Sequence, residues 1–313
     1  MTRFSLCNMI FKTYVIKEIQ MQQYILATDA SSDLTPELVK KHNIAVIPMI
    51  LELEGKSYSH HPDARELKFK DFYDQLRDKK TSRTSLVNIG EFVTFFTELL
   101  KEGKDILYIA LSSALSGTYQ SAVMAIDMLK EEYPNQKIVA VDSLSASLGE
   151  GYLVWRAALL KEEGKSLDEV AKWLNDNKFN LRHLFTVEEL GTLRRGGRLS
   201  GTAAFFGTLL GVKPILHVTY EGKLAVLQKV VGRKKSLIEM VDVMKNLIVD
   251  SENQVVFIAH GDCLEEAQEV GGLINASMKV KDIVYSYIGP VIGSHSGPGT
   301  IAVFFMGSKR ESE

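Results

Sequence analysis

Residues 105–129, DILYIALSSALSGTYQSAVMAIDML, decide the fold, because a strand, a polar turn and a helix follow one another there without a break. The run DILYIAL is short, continuous and apolar, as expected of a buried strand. After Gly117 the apolar residues recur at helical spacing. A buried strand that leads directly into a helix is typical of α/β proteins with a parallel sheet.

The same alternation extends over the N-terminal half of the chain. YILATD (24–29) and KIVAVD (137–142) read as further buried strands, and residues 44–59 read as extended chain that folds back at Glu54-Gly55. Helices are predicted between these strands, one opening at Thr35-Pro36 and others over residues 63–78, 88–102 and 146–163. Strands separated by helices predict a parallel sheet covered on both faces.

The pattern changes beyond Gly164. A helix from Ser166 and the strand RHLFTV (182–187) precede a predicted hairpin over residues 213–230, and single helices and strands then alternate up to the last strand, IAVFF (301–305). This half of the chain is therefore predicted to have an α+β arrangement.

Together these patterns predict an α/β protein of two domains. The N-terminal parallel-sheet α/β domain is expected at residues 21–160 and the C-terminal α+β domain at residues 161–313. Residues 1–20 are predicted to be an extension outside the fold, because Met21 directly precedes the first strand.

Composition excludes several classes of protein. The 313 residues are 45% hydrophobic and carry a net charge of −2, which gives no reason to expect a nucleic acid partner. Two cysteines without a C-x-x-C pair predict neither a zinc site nor a disulfide framework. No apolar run approaches the roughly 20 residues of a membrane span, and residues 1–20 lack the features of a secretory signal. We therefore expect a cytoplasmic protein.

The turn LSSALSGTYQSA (111–122) holds five hydroxyl-bearing or glycine residues in seven positions, which are Ser112, Ser113, Ser116, Gly117 and Thr118. The start of the helix makes it a natural site for an anion, since free backbone N–H groups and the helix dipole favour negative charge. An alternative is that Ser116 only caps the helix. A nucleophilic Ser116 has less support, because Ala114 stands where the G-x-S-x-G motif needs glycine.

Two further loops are rich in polar residues. Thr84 and Ser85 shortly precede the predicted helix cap Asn88, and His295 lies in the glycine-rich loop GPVIGSHSGPGT (289–300). An ordinary polar loop and a mobile surface loop are the respective alternatives to a ligand site. Spacing in the sequence does not decide whether these loops converge.

A basic turn, TLRRGGRLSG (192–201), is the fourth candidate. Its three arginines suit a carboxylate or a phosphate, and they are Arg194, Arg195 and Arg198. A solvated basic turn is the alternative.

The remaining polar residues are assigned structural roles. Asp29, Asp33 and Asp142 follow predicted strands, where turns and caps use aspartate more often than metals do. His60 and His61 are expected in an exposed loop. The histidines within strand-like runs are expected to be hydrogen-bonded structural residues, and they are His183, His217 and His260.

Several of these motifs, in this order, resemble the DegV family of bacterial fatty acid-binding proteins. The resemblance spans roughly residues 23–306 and rests on TDASSDL, Thr84-Ser85 followed by GEF, SSALSGTYQSA, LRRGGRLSG, VKPIL and GSHSGPG. It implies a two-domain α/β carrier that buries one long-chain fatty acid, such as palmitate, stearate or oleate, between or beneath its domains. Apart from this ligand it implies no cofactor.

The resemblance also implies roles for single residues and a partner. The fatty acid carboxylate is expected to meet Thr84, Ser116 and His295, with Ser85 and Arg194 nearby, whereas Arg195 and Arg198 are expected to contact the head group or the partner. That partner is a separate ATP-dependent fatty acid kinase subunit, which makes an acyl phosphate on the carrier for phospholipid synthesis. A carrier of this kind is not itself an enzyme.

This chain departs from the family in one loop. Members commonly carry Thr-Ser-Gln-Pro where this chain has Thr84-Ser85-Leu86-Val87, so the loop lacks the polar Gln and the rigid Pro. The alternative function is that of a serine-dependent esterase or hydrolase that uses Ser116 and His295.

Overall fold

The computed structural model describes residues 24–199 and 211–311. The predicted extension over residues 1–20, and Ser200 and Gly201 of the basic turn, lie outside the described residues. No described helix is long and apolar enough to cross a membrane.

The N-terminal sheet is parallel, as predicted from the alternation of strands and helices. Its strands run in the order β2-β1-β6-β7, and they are β1 (Tyr24–Asp29), β2 (Ala45–Ile47), β6 (Asp105–Ala110) and β7 (Ile138–Asp142). The helices of this half are α1 (Pro36–Lys41), α2 (Phe69–Arg77), α3 (Ile89–Leu100), α4 (Thr118–Leu129), α5 (Leu148–Glu162) and α6 (Leu167–Asn177).

Both faces of this sheet are covered. Ile25 and Ile106 join the core under α3 and α4, whereas the next residues, Leu26 and Leu107, join the core under α5 and α6. The alternation follows from the two-residue period of a strand. The predicted cap of α3 is present, because Asn88 accepts from the Glu91 backbone N–H and the Glu91 side chain accepts from that of Asn88.

A small antiparallel sheet was only partly predicted. Its order is β4-β3-β5, with β3 (Met49–Leu53) and β4 (Lys56–His60) joined at the expected turn, Glu54-Gly55. The third strand, β5 (Ser82–Thr84), lies where a polar loop was expected. Only three residues of β5 pair with β3, and none of them is fully buried. A strand this short and this exposed has no alternation of apolar and polar residues that would reveal it in the sequence.

The C-terminal half forms a mixed six-stranded sheet in the order β10-β9-β8-β13-β11-β12, in which only β11 and β12 are parallel. The strands are β8 (Leu181–Thr186), β9 (Ile215–Val218), β10 (Leu224–Gln228), β11 (Val255–His260), β12 (Asp282–Tyr287) and β13 (Ile301–Met306). The helices are α7 (Leu190–Arg195), α8 (Arg233–Leu247), α9 (Leu264–Ser277) and α10 (Pro290–Ser296). The predicted fold class, α/β with a second α+β half, is confirmed.

Helix α5 connects the two halves. One continuous core cluster holds Leu26 and Leu107 of the first sheet, Leu153 of α5, and Phe257 and Phe304 of the second sheet. The domain boundary was predicted at residue 160. This residue lies near the end of α5, which packs on both sheets.

Three local expectations were wrong. Helix α2 begins at Phe69 and not at residue 63, because Ala64 has a positive φ and the Glu66 side chain accepts from the Ser59 N–H. His60 is buried at the end of β4, paired with Met49. The supposed glycine-rich loop around His295 forms α10, which Pro290 starts at its first position.

Candidate functional site

A cavity of about 270 Å³ lies between the two halves of the protein. Most of its wall is apolar, including Met49, Leu111, Phe185, Val291, Ile292 and Phe304. Its polar lining includes Thr84, Ser85, Ser116, Arg198 and His295, which lie far apart in the sequence. An apolar cavity with a few convergent polar groups is the usual form of a small-molecule site.

Thr84 and His295 meet directly in this cavity. Oγ1 of Thr84 lies 2.8 Å from Nε2 of His295, at hydrogen-bond distance. β5 places Thr84 through its pairing with Leu51. α10 places His295, and the start of this helix is fixed by the Gly289 N–H, which donates to Asp33 Oδ1 over 2.9 Å.

Ser116 lines the cavity at the start of α4. The N-cap position is Gly117, so Ser116 does not cap the helix in the expected way. Its Oγ instead accepts from the Thr118 N–H over 3.3 Å and lies 2.9 Å from Thr118 Oγ1. When Thr118 Oγ1 is the donor of the second contact, the Ser116 hydroxyl keeps its own proton for a ligand.

The loop that departs from the family pattern forms part of the cavity. Ser85 lines it, and the Ser85 N–H donates to the Ile50 carbonyl over 3.1 Å. Leu86 also lines the cavity and is 45% exposed, so an apolar side chain reaches from the cavity to the surface. Val87 is buried in the core with Phe92, which gives the loop an apolar anchor.

Only one of the three candidate arginines lines the cavity among the described residues, and it is Arg198. Its Nε donates to the Leu115 carbonyl over 3.2 Å and its Nη1 to the Gly196 carbonyl over 2.6 Å. Arg195 donates to Thr192 Oγ1 instead. Arg194, the arginine favoured by the family pattern, is not part of the described cavity wall.

His295 is neutral at physiological pH. Burial lowers the pKa of His295 to about 4, and the positive charge of Arg198 contributes in the same direction. Nδ1 of the ring is buried and has no hydrogen-bond partner within the described parts of the chain. Gly196 passes close to this atom, since a Cβ there would lie 2.5 Å from Nδ1.

The geometry does not assemble the hydrolase considered as an alternative. Nε2 of His295 contacts Thr84, whereas the described hydrogen bonds of Ser116 Oγ join it to Thr118. No carboxylate among the described residues orients His295 through Nδ1. A nucleophile, a base and an orienting group in hydrogen-bond contact, as a triad needs, are therefore not present here.

Ser112 and Ser113 of the turn after β6 hold it in place, Ser112 through its hydroxyl and Ser113 through its backbone N–H. Ser112 is fully buried; its Oγ donates to the Gly222 carbonyl over 2.9 Å and accepts from the Ala114 N–H over 3.3 Å. The Ser113 N–H donates to Asp142 Oδ1 over 3.1 Å. The turn is thus tied to the β9–β10 hairpin and to the end of β7.

A buried acidic network is hydrogen-bonded to two residues of the cavity wall, Leu111 and Ser147. Asp29 accepts from Ser31, Tyr108 and the Leu111 N–H, Glu150 accepts from Thr28 and Ser31, and Asp33 accepts from Ser147 and Gly289. Burial raises the pKa of all three carboxyl groups, that of Asp33 to about 8. No group of described residues has the arrangement of a metal site.

Ser296 and His183 are among the polar residues of the cavity wall that sequence reasoning missed. Both are buried, and Ser296 Oγ and the two ring nitrogens of His183 have no hydrogen-bond partner in the part of the chain that the structure describes. His183 was expected to be hydrogen-bonded. The sequence could not identify His183 as a cavity residue. What distinguishes this histidine is that it has no hydrogen-bond partner among the described residues, and that depends on the tertiary structure.

Comparisons with known proteins agree with the motifs. The family model described as "Uncharacterised protein, DegV family" matches residues 25–308. A DegV domain-containing protein of Clostridium perfringens is 45% identical over 291 residues, which cover 93% of this chain and 100% of that protein.

Two solved structures are similar over nearly their whole length. A fatty acid-binding DegV family protein from Thermus thermophilus is 30% identical with a TM-score of 0.80, covering 91% of this chain and 99% of that one. DegV of Bacillus subtilis, a fatty acid binding protein, is 31% identical with a TM-score of 0.78, covering 92% and 100%. The resemblance is confirmed: the chain belongs to the DegV family, whose solved structures include fatty acid-binding proteins.

Proposed function

We propose that this protein binds one long-chain fatty acid, with the acyl chain in the cavity and the carboxylate at Thr84, Ser116 and His295. The observation that carries this proposal is the Thr84–His295 contact at the wall of a mostly apolar cavity. Two relatives at 30% identity or more are fatty acid-binding proteins. No further cofactor is part of the proposal.

The acyl chain supplies the driving force in this proposal. A palmitate-sized chain has about 14 methylenes, each worth about 0.8 kcal/mol on burial, which together give about 11 kcal/mol. Association and ordering reduce this figure by several kcal/mol. Head-group contacts are therefore expected to orient the ligand more than to supply its affinity.

The polar residues can pair with a carboxylate without a net positive charge. In the His295 tautomer with its proton on Nε2, Nε2–H donates to Thr84 Oγ1, and the Thr84 hydroxyl then donates to the carboxylate. Ser116 adds a second hydroxyl donor, and the start of α4 adds a favourable dipole. Ser85 and Arg198 lie in the same wall.

The second part of the proposal concerns the partner. We propose that this carrier presents the carboxylate, in the cytoplasm, to a separate ATP-dependent fatty acid kinase subunit, and that the acyl phosphate then feeds phospholipid synthesis. Uncharged donors support this role, because they leave the carboxylate oxygens nucleophilic enough to attack the γ-phosphate of ATP. Leu86, exposed and part of the cavity wall, marks where the ligand approaches the surface.

Lipid extraction followed by mass spectrometry tests the first part. The purified protein is expected to carry about one intact fatty acid per chain, and Thr84→Ala, Ser116→Ala and His295→Ala are expected to carry less while remaining folded. Wild-type retention by all three variants would contradict the site. Ester turnover that is lost in Ser116→Ala would favour a hydrolase instead.

Trapping with hydroxylamine tests the second part. The loaded carrier, incubated with ATP and an extract of the native host, is expected to yield a fatty acyl hydroxamate, since hydroxylamine captures acyl phosphates. His295→Ala, which is expected to carry less fatty acid, is the control and is expected to yield less hydroxamate. A hydroxamate that forms equally without the carrier would show that the kinase does not need it.

A further inference from the structure

A polar side chain lies in the cavity wall well away from Thr84 and His295. His183 of β8 lines the cavity, as does its ladder neighbour Phe304 of β13. Phe304 lies four residues after Thr300, and four residues of extended chain separate the two Cα atoms by about 13 Å. Thr300 itself lines the cavity, and its hydroxyl donates to the carbonyl of Ser296, the residue after His295. His183 is therefore placed towards the far end of the cavity.

The His183 ring is deeply buried, and none of the described residues forms a hydrogen bond with it. The residue is 3% exposed, and neither ring nitrogen has a hydrogen-bond partner among residues 24–199 and 211–311. The carbonyl of Leu181 acts on the ring only weakly, outside hydrogen-bond geometry. Burial lowers the pKa of His183 well below its usual range, so the neutral ring presents one N–H donor and one acceptor.

Packing holds the ring in this position. Phe304 contacts it edge to face at 5.3 Å between ring centres, and Gly149 of α5 brings the helix backbone against Nε2. Any side chain at position 149 would overlap the His183 ring. Because the ring is held in the cavity wall, a ligand in the cavity can supply a partner for its polar atoms.

We propose that the cavity selects a fatty acid that carries a hydroxyl group in the distal half of its chain, and that His183 recognises this hydroxyl. The inference rests on the proposed fatty acid binding and names the substrate class. A plain acyl chain leaves the buried N–H unpaired and so incurs the full cost of its desolvation. A chain hydroxyl accepts this N–H and removes the cost.

Competition binding on the full-length protein tests this inference. Displacement of a fluorescent fatty acid gives a Kd for stearic acid and for hydroxystearic acids with the hydroxyl near the carboxylate or in the distal half. The same ratio of Kd values is measured in His183→Phe, which removes the polar atoms but keeps a ring. The relative preference for the distal hydroxyl is expected to fall at least about tenfold in this variant, within the range of pairwise coupling energies.

Thr186→Val is the matched control. Thr186 lies on the same strand, is fully buried and has an Oγ1 without a hydrogen-bond partner among the described residues, but it does not contribute to the described cavity wall. Its loss removes an unpaired buried hydroxyl away from the ligand, so the ratio is expected to stay at the wild-type value. A ratio that falls equally in both variants would overturn the assignment to His183.

The remaining outcomes separate this inference from the proposed function. Tight stearic acid binding with equal ratios in wild type and His183→Phe would overturn the inference and mean that water satisfies the ring. Failure of the wild type to bind any of these acids would overturn the proposed function as well. If His183→Phe does not fold, ¹⁵N NMR of the wild-type ring replaces it: a shift with the distal hydroxyl acid alone supports the inference, and equal spectra overturn it.

Discussion

The hydroxyl of Thr84 lies 2.8 Å from Nε2 of His295, although 211 positions of sequence separate the two residues. Thr84 belongs to a three-stranded sheet of the N-terminal half, and His295 belongs to a short helix that packs against that half from the C-terminal half. The contact therefore forms only when the two halves are assembled. The hydrogen-bonded pair of Thr84 and His295 in the cavity wall therefore needs both halves of the protein.

Removal of the Thr84 hydroxyl is expected to weaken fatty acid binding. Thr84→Val keeps the shape of the side chain but leaves a buried carboxylate short of one donor, which costs about 1–3 kcal/mol. The Kd is therefore expected to rise about 5- to 150-fold. Thr84→Ser keeps the hydroxyl and is expected to bind within a few-fold of wild type. Equal affinities for the Val and Ser variants, measured by isothermal titration calorimetry, would contradict a head-group role.

Arg198 and Arg195 are expected to differ in their effect on His295. The charge of Arg198 helps to lower the pKa of His295, so Arg198→Gln is expected to raise it. Burial is the larger cause, so the pKa stays below the ordinary value of about 6.5. Arg195→Gln, which removes a guanidinium that bonds to Thr192, is expected to leave the pKa unchanged. NMR titration of the imidazole distinguishes them, and an unchanged pKa in Arg198→Gln would be evidence against the placement of Arg198.

Gly196→Ala is expected to displace His295. The added Cβ would lie 2.5 Å from Nδ1, so the ring has to move and its contact with Thr84 is lost. Overpacking of this kind costs about 1–3 kcal/mol of folding free energy, and we expect fatty acid binding to weaken in parallel.

Gly272→Ala provides the matched control for this substitution. Gly272 lies on the exposed side of α9 with no atom within 4 Å of an added Cβ. Alanine there is expected to stabilise the helix by up to about 1 kcal/mol and to leave binding unchanged. Thermal unfolding and a binding isotherm on both variants check this pair. Tight binding by Gly196→Ala would show that His295 can move without loss.

Stability is expected to fall as the pH rises from about 4 to about 8. Burial, with a smaller contribution from the charge of Asp29, raises the pKa of Asp33 to about 8, from an unfolded value of about 3.9. The folded state thus holds a proton that the unfolded state releases. This stabilisation is complete below about pH 4 and is lost as the pH rises through about 8. The raised pKa values of Asp29 and Glu150 act in the same direction.

Asp33→Asn is expected to flatten this decline of stability with rising pH. Asparagine keeps an acceptor for the Gly289 N–H, supplies a donor to Ser147 and tolerates the left-handed backbone at this position, where φ is 51°. Urea unfolding between about pH 6.5 and 9 measures the slope, because buried histidines such as His60 and His295, with pKa values of about 3 and 4, act mainly below that range. Asp71→Asn on the exposed side of α2 is the control. Parallel slopes in wild type and Asp33→Asn would refute a protonated Asp33.

Much of the fold follows from local patterns. β1, β6 and β7 are continuous apolar runs, and the capping boxes at Asn88 and Ser166 are complete within four residues each. These patterns can be recognised in the sequence because each one involves residues that are close together along the chain. β5 and α10 carry no comparable pattern, since β5 depends on its partner β3 and α10 is rich in glycine and serine.

The sequence by itself determined the alternation of strands and helices, the parallel sheet, the family and a set of polar residues that included Thr84, Ser116 and His295. Only the tertiary structure decided that Thr84 and His295 touch, that Arg198 lines the cavity, and that His183 is buried with no hydrogen-bond partner among the described residues. The physical reason is that periodicity and capping are local along the chain. Hydrogen-bond pairing, burial and the pKa shifts that follow from them depend on groups brought together by folding.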